Sequence, residues 1–178
     1  MLYFRELCPG EITRELFCSF QRRQIVTDCW RNEAGRWVVR KDPFVDDWGE
    51  DEYHLLVRCL KNTCACGGFV YGAFLNNQLK GFVSVEWPPI GSKGQYLDLS
   101  SLHVSCDARR HGIGRRLFEA AAAFARSRNI PGLYISAHSA VESQAFYRAM
   151  GCTEAVEYQS AHVEKEPFDC QLEYRLPV

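Results

Sequence analysis

Hydrophobic positions along the chain change rhythm several times, and each change marks an element. Residues 96–104, Tyr-Leu-Asp-Leu-Ser-Ser-Leu-His-Val, have the composition of a largely buried strand. Past Gly112, Ile113, Leu117, Ala120, Ala121 and Phe124 recur at helical steps and form one amphipathic stripe. Similar reasoning predicts a strand over residues 2–7. Pro9-Gly10 then leads into a helix carrying Ile12, Leu16, Phe17 and Phe20. Cys29-Trp30-Arg31 and Trp37-Val38-Val39 flank Asn32-Glu33-Ala34-Gly35 and predict a hairpin. Residues 50–63 predict a second helix, with acids in its first turn and Leu55, Leu56, Cys59 and Leu60 inward.

Two further strands, 69–75 and 78–86, are expected to join through Asn76-Asn77, because asparagine tolerates positive φ, and Trp87-Pro88-Pro89 ends the second. Residues 132–137 predict a strand that enters the sheet beside 96–104. A strand–helix–strand unit of this kind is normally parallel and right-handed. Strands over 154–158 and 170–176 close the pattern, with Glu164-Lys165-Glu166-Pro167 as a loop between them. The expected fold is α/β, a single mixed central sheet flanked by helices, and residues 1–178 are expected to form one domain.

Composition narrows the chemistry. Hydrophobic residues make up 47% of the chain, enough for a core, and the net charge is −1 with no basic stretch, which argues against a nucleic-acid partner. Arg5 and Glu6 come too early for a secretory leader, and no apolar run approaches the roughly 18 residues a bilayer span needs. The expectation is a cytoplasmic protein with no membrane partner. Nine cysteines form an odd, scattered set, as expected of reduced thiols. His54, Cys59, Cys64 and Cys66 lack zinc-site spacing, so no metal is expected, and Cys59 is read as a small core hydrophobe.

Arg109-Arg110-His111-Gly112-Ile113-Gly114-Arg115-Arg116 lies between the buried strand and its helix. Two glycines at a helix start let the backbone approach a ligand, while the unpaired first-turn N–H groups and the helix dipole favour an anion. Four arginines at the positive end of a dipole are unfavourable unless an anion compensates them. A dinucleotide fingerprint would need glycine where Leu117 stands, and a phosphate-binding NTPase loop would need lysine followed by serine or threonine.

The spacing Arg109-x-x-Gly112-x-Gly114 resembles the acetyl-CoA signature of the GNAT superfamily, the GCN5-related N-acetyltransferases. Ser143-Gln144-Ala145-Phe146-Tyr147-Arg148-Ala149-Met150-Gly151-Cys152 resembles that family's later motif, in the same order and at a compatible separation. With the surrounding strands the resemblance covers about residues 67–158. It implies a GNAT-like acyl-CoA N-acyltransferase fold, acetyl-CoA as co-substrate, and an amine acceptor, with a small molecule favoured over a protein N-terminus or lysine. It implies cofactor contacts from Leu102, His103 and Val104 on the strand, from Arg109, Arg110, His111, Gly112, Ile113, Gly114 and Arg115 in the loop, and from Ser143 and Tyr147 on the later helix. The family often has Asn where this chain has Ala140, so that side chain's work must be done otherwise, with Ser139 or His138 as candidates.

Acetyl transfer requires a deprotonated amine, a polarised thioester and a proton for the departing thiolate. Tyr147 suits the last task, and the resemblance casts it as general acid. Ser143 and Tyr147 share one helical face, four residues apart, and Phe146 and Met150 share another. Glu142 reads as structural, the last member of a Ser139-x-x-Glu142 capping box. For the base, Glu86, Asp98, His103 and His138 are all candidates, with Glu86 and His103 foremost, and in the family a water chain often replaces a single base. His103 either faces the acceptor or is a satisfied sheet histidine. Residues 42–53 carry six carboxylates and three aromatics. They read chiefly as an acidic helix start and secondarily as a site for a cationic amine. A non-catalytic acyl-CoA-binding module and a metal-binding domain at Cys64 and Cys66 are the competing readings. A homodimer is compatible with the sequence.

Overall fold

The computed structural model describes residues 1–177. In chain order the elements are β1 (Leu2–Glu6), β2 (Arg23–Glu33), β3 (Arg36–Asp47), α1 (Glu50–Ala65), β4 (Phe69–Leu75), β5 (Gln78–Val85), β6 (Tyr96–Val104), α2 (Ile113–Ser127), β7 (Gly132–Ala137), α3 (Val141–Ala149), β8 (Thr153–Glu154), α4 (Ser160–Lys165) and β9 (Cys170–Arg175). Seven strands form one sheet in the order β1-β4-β5-β6-β7-β9-β8, while β2 and β3 pair only with each other. The β6–β7 pair is parallel and its neighbours in the sheet are antiparallel, which gives the mixed sheet that the strand–helix–strand pattern predicts.

Period-two alternation sends side chains to both faces of the sheet. On one face Val83, Val85, Leu97 and Leu99 meet Ile113, Leu117 and Ala121 of α2. On the other, Val70, Phe74, Leu79 and Phe82 meet Tyr53, Leu56 and Leu60 of α1, together with Leu7, Ile12, Phe17 and Phe20. Asn76 and Asn77 both take positive φ, 51° and 64°, as the tight β4–β5 turn requires.

Four expectations are corrected. The helix expected to carry residues 12–20 shrinks to a single 3-10 turn, Glu15–Phe17, although Ile12, Phe17 and Phe20 are buried. The chain beyond it is drawn out by tertiary hydrogen bonds. Lys80 Nζ donates to the Ser19 carbonyl at 2.6 Å, and Gln21 N–H donates to Ser105 Oγ at 2.9 Å. The hairpin is far longer than expected. Its two strands run to Asp47, so half of the acidic stretch is strand rather than helix start.

In α1 the buried stripe is Tyr53, Leu56, Leu60 and Thr63, while Leu55 and Cys59 are exposed. Tyr53 sets that rotation: its hydroxyl donates to the Phe20 carbonyl at 2.7 Å and accepts from Arg22 N–H at 3.2 Å. Finally, the strand expected over 154–158 stops at Glu154, and α4 takes in Glu164 and Lys165, the first two residues of the expected loop. Glu157 leaves the sheet edge because its carboxylate accepts from Ser92 N–H, Ser92 Oγ and Gln95 Nε2. Among the described residues no helix is long and apolar enough to cross a membrane. No group of three or more His, Cys, Asp or Glu side chains is gathered there to hold a metal ion.

Candidate active site

Strands β6 and β7 pair over only three residues, Tyr96 to Asp98 against Gly132 to Tyr134. Beyond that point β6 follows β5 and β7 follows β9, so the two part and leave a gap. In an antiparallel ladder alternate residues bond to the neighbour, so the remaining backbone polar groups of 99–104 face this gap without a strand partner. The gap opens into a cleft of about 800 Å³ whose walls include Leu102, His103 and Val104 of β6 and Ala137 and His138 at the end of β7.

One end of the cleft is the start of α2. Gly112 is its N-cap in the left-handed region, φ 72°, and Arg110 before it also has positive φ, 67°. An added Cβ at Gly112 would meet nothing within 4 Å, so glycine is needed there for conformation and the backbone stands open to the cleft. Gly114 has a different reason: a Cβ would lie 3.2 Å from Phe146, so glycine permits close packing of α2 on α3. Arg109, Arg110 and Arg115 line the cleft with Gly112, Ile113 and Gly114. Arg109 also donates to the Arg23 carbonyl at 2.9 Å. His111 does not line the cleft, and its Nδ1 sits 2.9 Å from the Arg109 carbonyl.

Helix α3, packed against the start of α2 through Phe146, supplies a further wall. Ser143 and Tyr147 line it on one face as expected, but Phe146 and Met150 do so too, so the division into a packing face and a cofactor face does not hold. Tyr147 is only 9% exposed, and its hydroxyl forms no hydrogen bond with the described residues. Burial, reinforced by the neighbouring Cys152, pushes the phenol well above its usual range, so it stays protonated. Burial likewise drives the nearby Cys152 thiol up to about 12.

The capping box at Ser139 is absent. The N-cap is Ala140 with no side-chain cap. Ser139 Oγ instead accepts from Arg31 at 2.6 Å, and Glu142 stays exposed on the cleft wall. The backbone around Ala140 is held by β2 and His138. Trp30 N–H donates to the Ser139 carbonyl at 2.8 Å, and His138 Nδ1 accepts from Ala140 N–H at 3.1 Å.

Of the base candidates, Glu86 lies outside the cleft wall. Its carboxylate accepts from Ser100 Oγ at 2.5 Å and Thr63 Oγ1 at 2.8 Å, which makes it a strut between β6 and α1. His103 is in the cleft, ringed by Trp48 and Phe82 at centroid distances of 4.8 and 5.4 Å. Burial, then the charges of Arg22 and Arg109, push its imidazole down to about 3, so it is neutral and weakly basic. Burial also lowers His138. Asp98 lines the cleft at the point where the strands part, and its Oδ2 lies 2.7 Å from His162 Nε2.

The acidic stretch is largely paired. Asp42 bonds Arg31, Asp46 lies 2.5 Å from Arg22, Asp47 is 3.7 Å from Arg23, and Glu50 is 2.6 Å from Arg14. Only Asp46 and Trp48 of that stretch reach the cleft. Carboxylates that sequence reasoning missed, Glu166 and Asp169, stand with Asp98 on the far wall. Burial, then Glu166, raise Asp169 to about 6.

A parted parallel strand pair, a glycine-capped helix start ringed by arginines and a buried phenol meet in one cleft of an α/β protein built on a mixed sheet. Residues 20–152, well over half of the chain, match the Acetyltransferase (GNAT) family, and the protein belongs to that family. Its fold is similar to a structure assigned as a streptothricin acetyltransferase from Bacillus anthracis str. Ames in complex with acetyl coenzyme A, at 17% identity over 99% of both chains and a TM-score of 0.72. It is also similar to nourseothricin acetyltransferase, at 19% identity, 99% coverage of both chains and a TM-score of 0.71. A third likeness is the PaiA N-acetyltransferase from Thermoplasma acidophilum in complex with coenzyme A, at 14% identity, 99% coverage of both chains and a TM-score of 0.61. Among curated protein sequences none matches significantly.

Proposed function

We propose that residues 1–178 act as one catalytic domain, an acetyl-CoA-dependent N-acetyltransferase that passes an acetyl group to a primary amine by direct attack in a ternary complex. The observation that carries this reading is that a single cleft joins the Gly112 helix start to an unbonded, protonated Tyr147 hydroxyl across the parted strands. The free first-turn N–H groups of α2, with Arg109, Arg110 and Arg115 nearby, suit a pyrophosphate. Backbone groups of Leu102, His103 and Val104 suit the pantetheine amides and polarisation of the thioester carbonyl. Tyr147 donates a proton to the departing sulfur. Burial keeps the phenol protonated and so able to donate.

A small cationic amine is the favoured acceptor, since Asp98, Glu166 and Asp169 line the wall away from the arginines. The likeness to structures named for streptothricin and nourseothricin acetylation supports the same class. The test is thiol release from acetyl-CoA by the purified chain across small mono- and diamines, amino sugars, and peptides with free N-termini or lysines. Release with small cationic amines is expected. Binding of acetyl-CoA without release to any acceptor would identify a binding module instead, and release with peptides alone would overturn the small-molecule assignment.

A further inference from the structure

The geometry points to an Asp98–His162 dyad as the proton acceptor for the incoming amine, with His162 Nδ1 as the atom that receives the proton. This inference rests on the transferase reading above and supplies the group that sequence alone leaves open. Asp98 is 9% exposed and sits at the last paired position of β6 before the strands part. Its Oδ2 is 2.7 Å from His162 Nε2 on α4, and no described residue bonds its buried Oδ1. A carboxylate can only accept, so Nε2 carries the hydrogen and Nδ1 keeps its lone pair.

No hydrogen bond from the described residues occupies Nδ1, and the His162 side chain, on the cleft wall, is 28% exposed. The ring is stacked on Tyr134 at 5.6 Å and 28°, and the Tyr134 hydroxyl is fixed in turn by Gln171 at 2.5 Å and Gln159 N–H at 3.0 Å. The imidazole is therefore oriented by both a carboxylate and a clamped aromatic face. The alternatives are less suited: Glu86 lies off the cleft wall, His138 uses Nδ1 on Ala140 N–H, and His103 is hemmed in by guanidinium groups.

The protons balance. The acceptor arrives as an ammonium, and His162 Nδ1 takes one proton and passes it to solvent. The amine nitrogen bonds the acetyl carbon, and the carbon–sulfur bond breaks. The nitrogen's second proton leaves as the amide forms, while Tyr147 protonates the sulfur and is reprotonated. The products are the amide, the free thiol and one proton. The groups facing His162 are Asp98 from β6, Tyr134 from β7, Lys165 on α4 and Asp169 before β9. The bond to Asp98 raises the imidazole above its ordinary value against the opposing pull of burial, so its basic form is lost on acidification at a higher pH than for a free imidazole.

The experiment uses the full chain with its best amine and saturating acetyl-CoA, reading kcat against pH. The parent is expected to show an acid limb. His162→Ala should lose that limb and drop about 10²–10⁴-fold, with the KM for acetyl-CoA unchanged and partial rescue by added imidazole. Asp98→Asn should move the limb to lower pH. Nitrogen-15 spectra of histidine-labelled protein without acceptor should show the Nε2–H tautomer for His162, a readout that does not depend on the variants folding. An active parent whose His162→Ala variant keeps its rate and limb, or an Nδ1–H tautomer, overturns the dyad alone. A parent that transfers acetyl to no amine overturns the transferase reading and the dyad with it.

Discussion

Gly81 ties the sheet to the cofactor loop, and a single methyl group tests that connection. It lies in β5 opposite Val104, and a Cβ there would stand 2.7 Å from Ile113 Cγ2, 3.0 Å from Leu117 Cδ1 and 3.4 Å from the His103 carbonyl. Leu117 Cδ1 ends a flexible side chain and can turn away. Ile113 Cγ2 cannot, because it hangs on a β-branched Cβ whose χ1 is nearly fixed in a helix. Gly81→Ala therefore has to push the first turn of α2 outward by about 1 Å before carbon–carbon contacts return to roughly 3.5–4 Å. Overpacking of this kind costs about 1–3 kcal/mol. At roughly 2–4 °C per kcal/mol for a chain of this size, Tm should fall by about 2–12 °C. The displaced turn carries the N–H groups of the cofactor cradle, and weakening two hydrogen bonds of about 0.5–1.5 kcal/mol each should loosen acetyl-CoA binding on the order of tenfold or more. Thermal denaturation and titration calorimetry read both effects, with Gly10→Ala, whose Cβ would meet nothing within 4 Å, as the neutral control. A Gly81→Ala protein with parental Tm and parental acetyl-CoA affinity would refute the claim that β5 sets the position of the loop.

Gly112→Asp forces a side chain into φ 72° and puts a carboxylate where the phosphates belong, so calorimetry should find acetyl-CoA binding lost while the fold persists; retained affinity would remove the loop from the site. Tyr147→Phe should lower turnover about 10²–10⁴-fold with acetyl-CoA affinity nearly unchanged, and a parental steady-state rate would end the acid assignment. Stability should also register the Asp98 to His162 bond. Because the folded pKa of His162 is raised, its contribution is full below the unfolded value of about 6.5 and disappears as pH rises through the folded value. Urea midpoints for the parent and Asp98→Asn should therefore differ more at acidic than at alkaline pH, and an equal gap at both would contradict the pairing.

The elements legible in the sequence were those with a repeating burial pattern. The stripe Ile113, Leu117, Ala121 stands out because one face of α2 is covered, and β5 stands out as a short run buried on both faces. Helix α4 buries none of its six residues, so it leaves no stripe to read. The segment around Ile12 to Phe20 failed in the opposite way. Its apolar spacing is helical, yet Lys80 and Ser105 hold the chain beyond Phe17 through contacts 61 and 84 residues apart, which no local window can see. Ser139-x-x-Glu142 has a capping-box spacing, but the hydroxyl had a stronger partner in Arg31, 108 residues away.

The same division runs through the site. The half proposed for the cofactor consists mainly of peptide groups at one strand–loop–helix junction, and peptide groups are advertised by glycine and by the start of a helical stripe within about ten residues of sequence. The half proposed for the acceptor is built from side chains on separate elements: Asp98 on β6, His162 on α4 and Asp169 before β9. No spacing rule links them, because they converge only through the parting of β6 from β7, and that parting is set by where pairing stops rather than by any residue type. A cleft made this way separates two demands. The backbone cradle tolerates little change, since Gly112 and Gly114 are fixed by conformation and packing, whereas the acceptor wall can be rebuilt one side chain at a time on elements that the sheet already holds. The acceptor must therefore be sought in the charges of that far wall and in the Asp98–His162 pair, not in the signature that identifies the family.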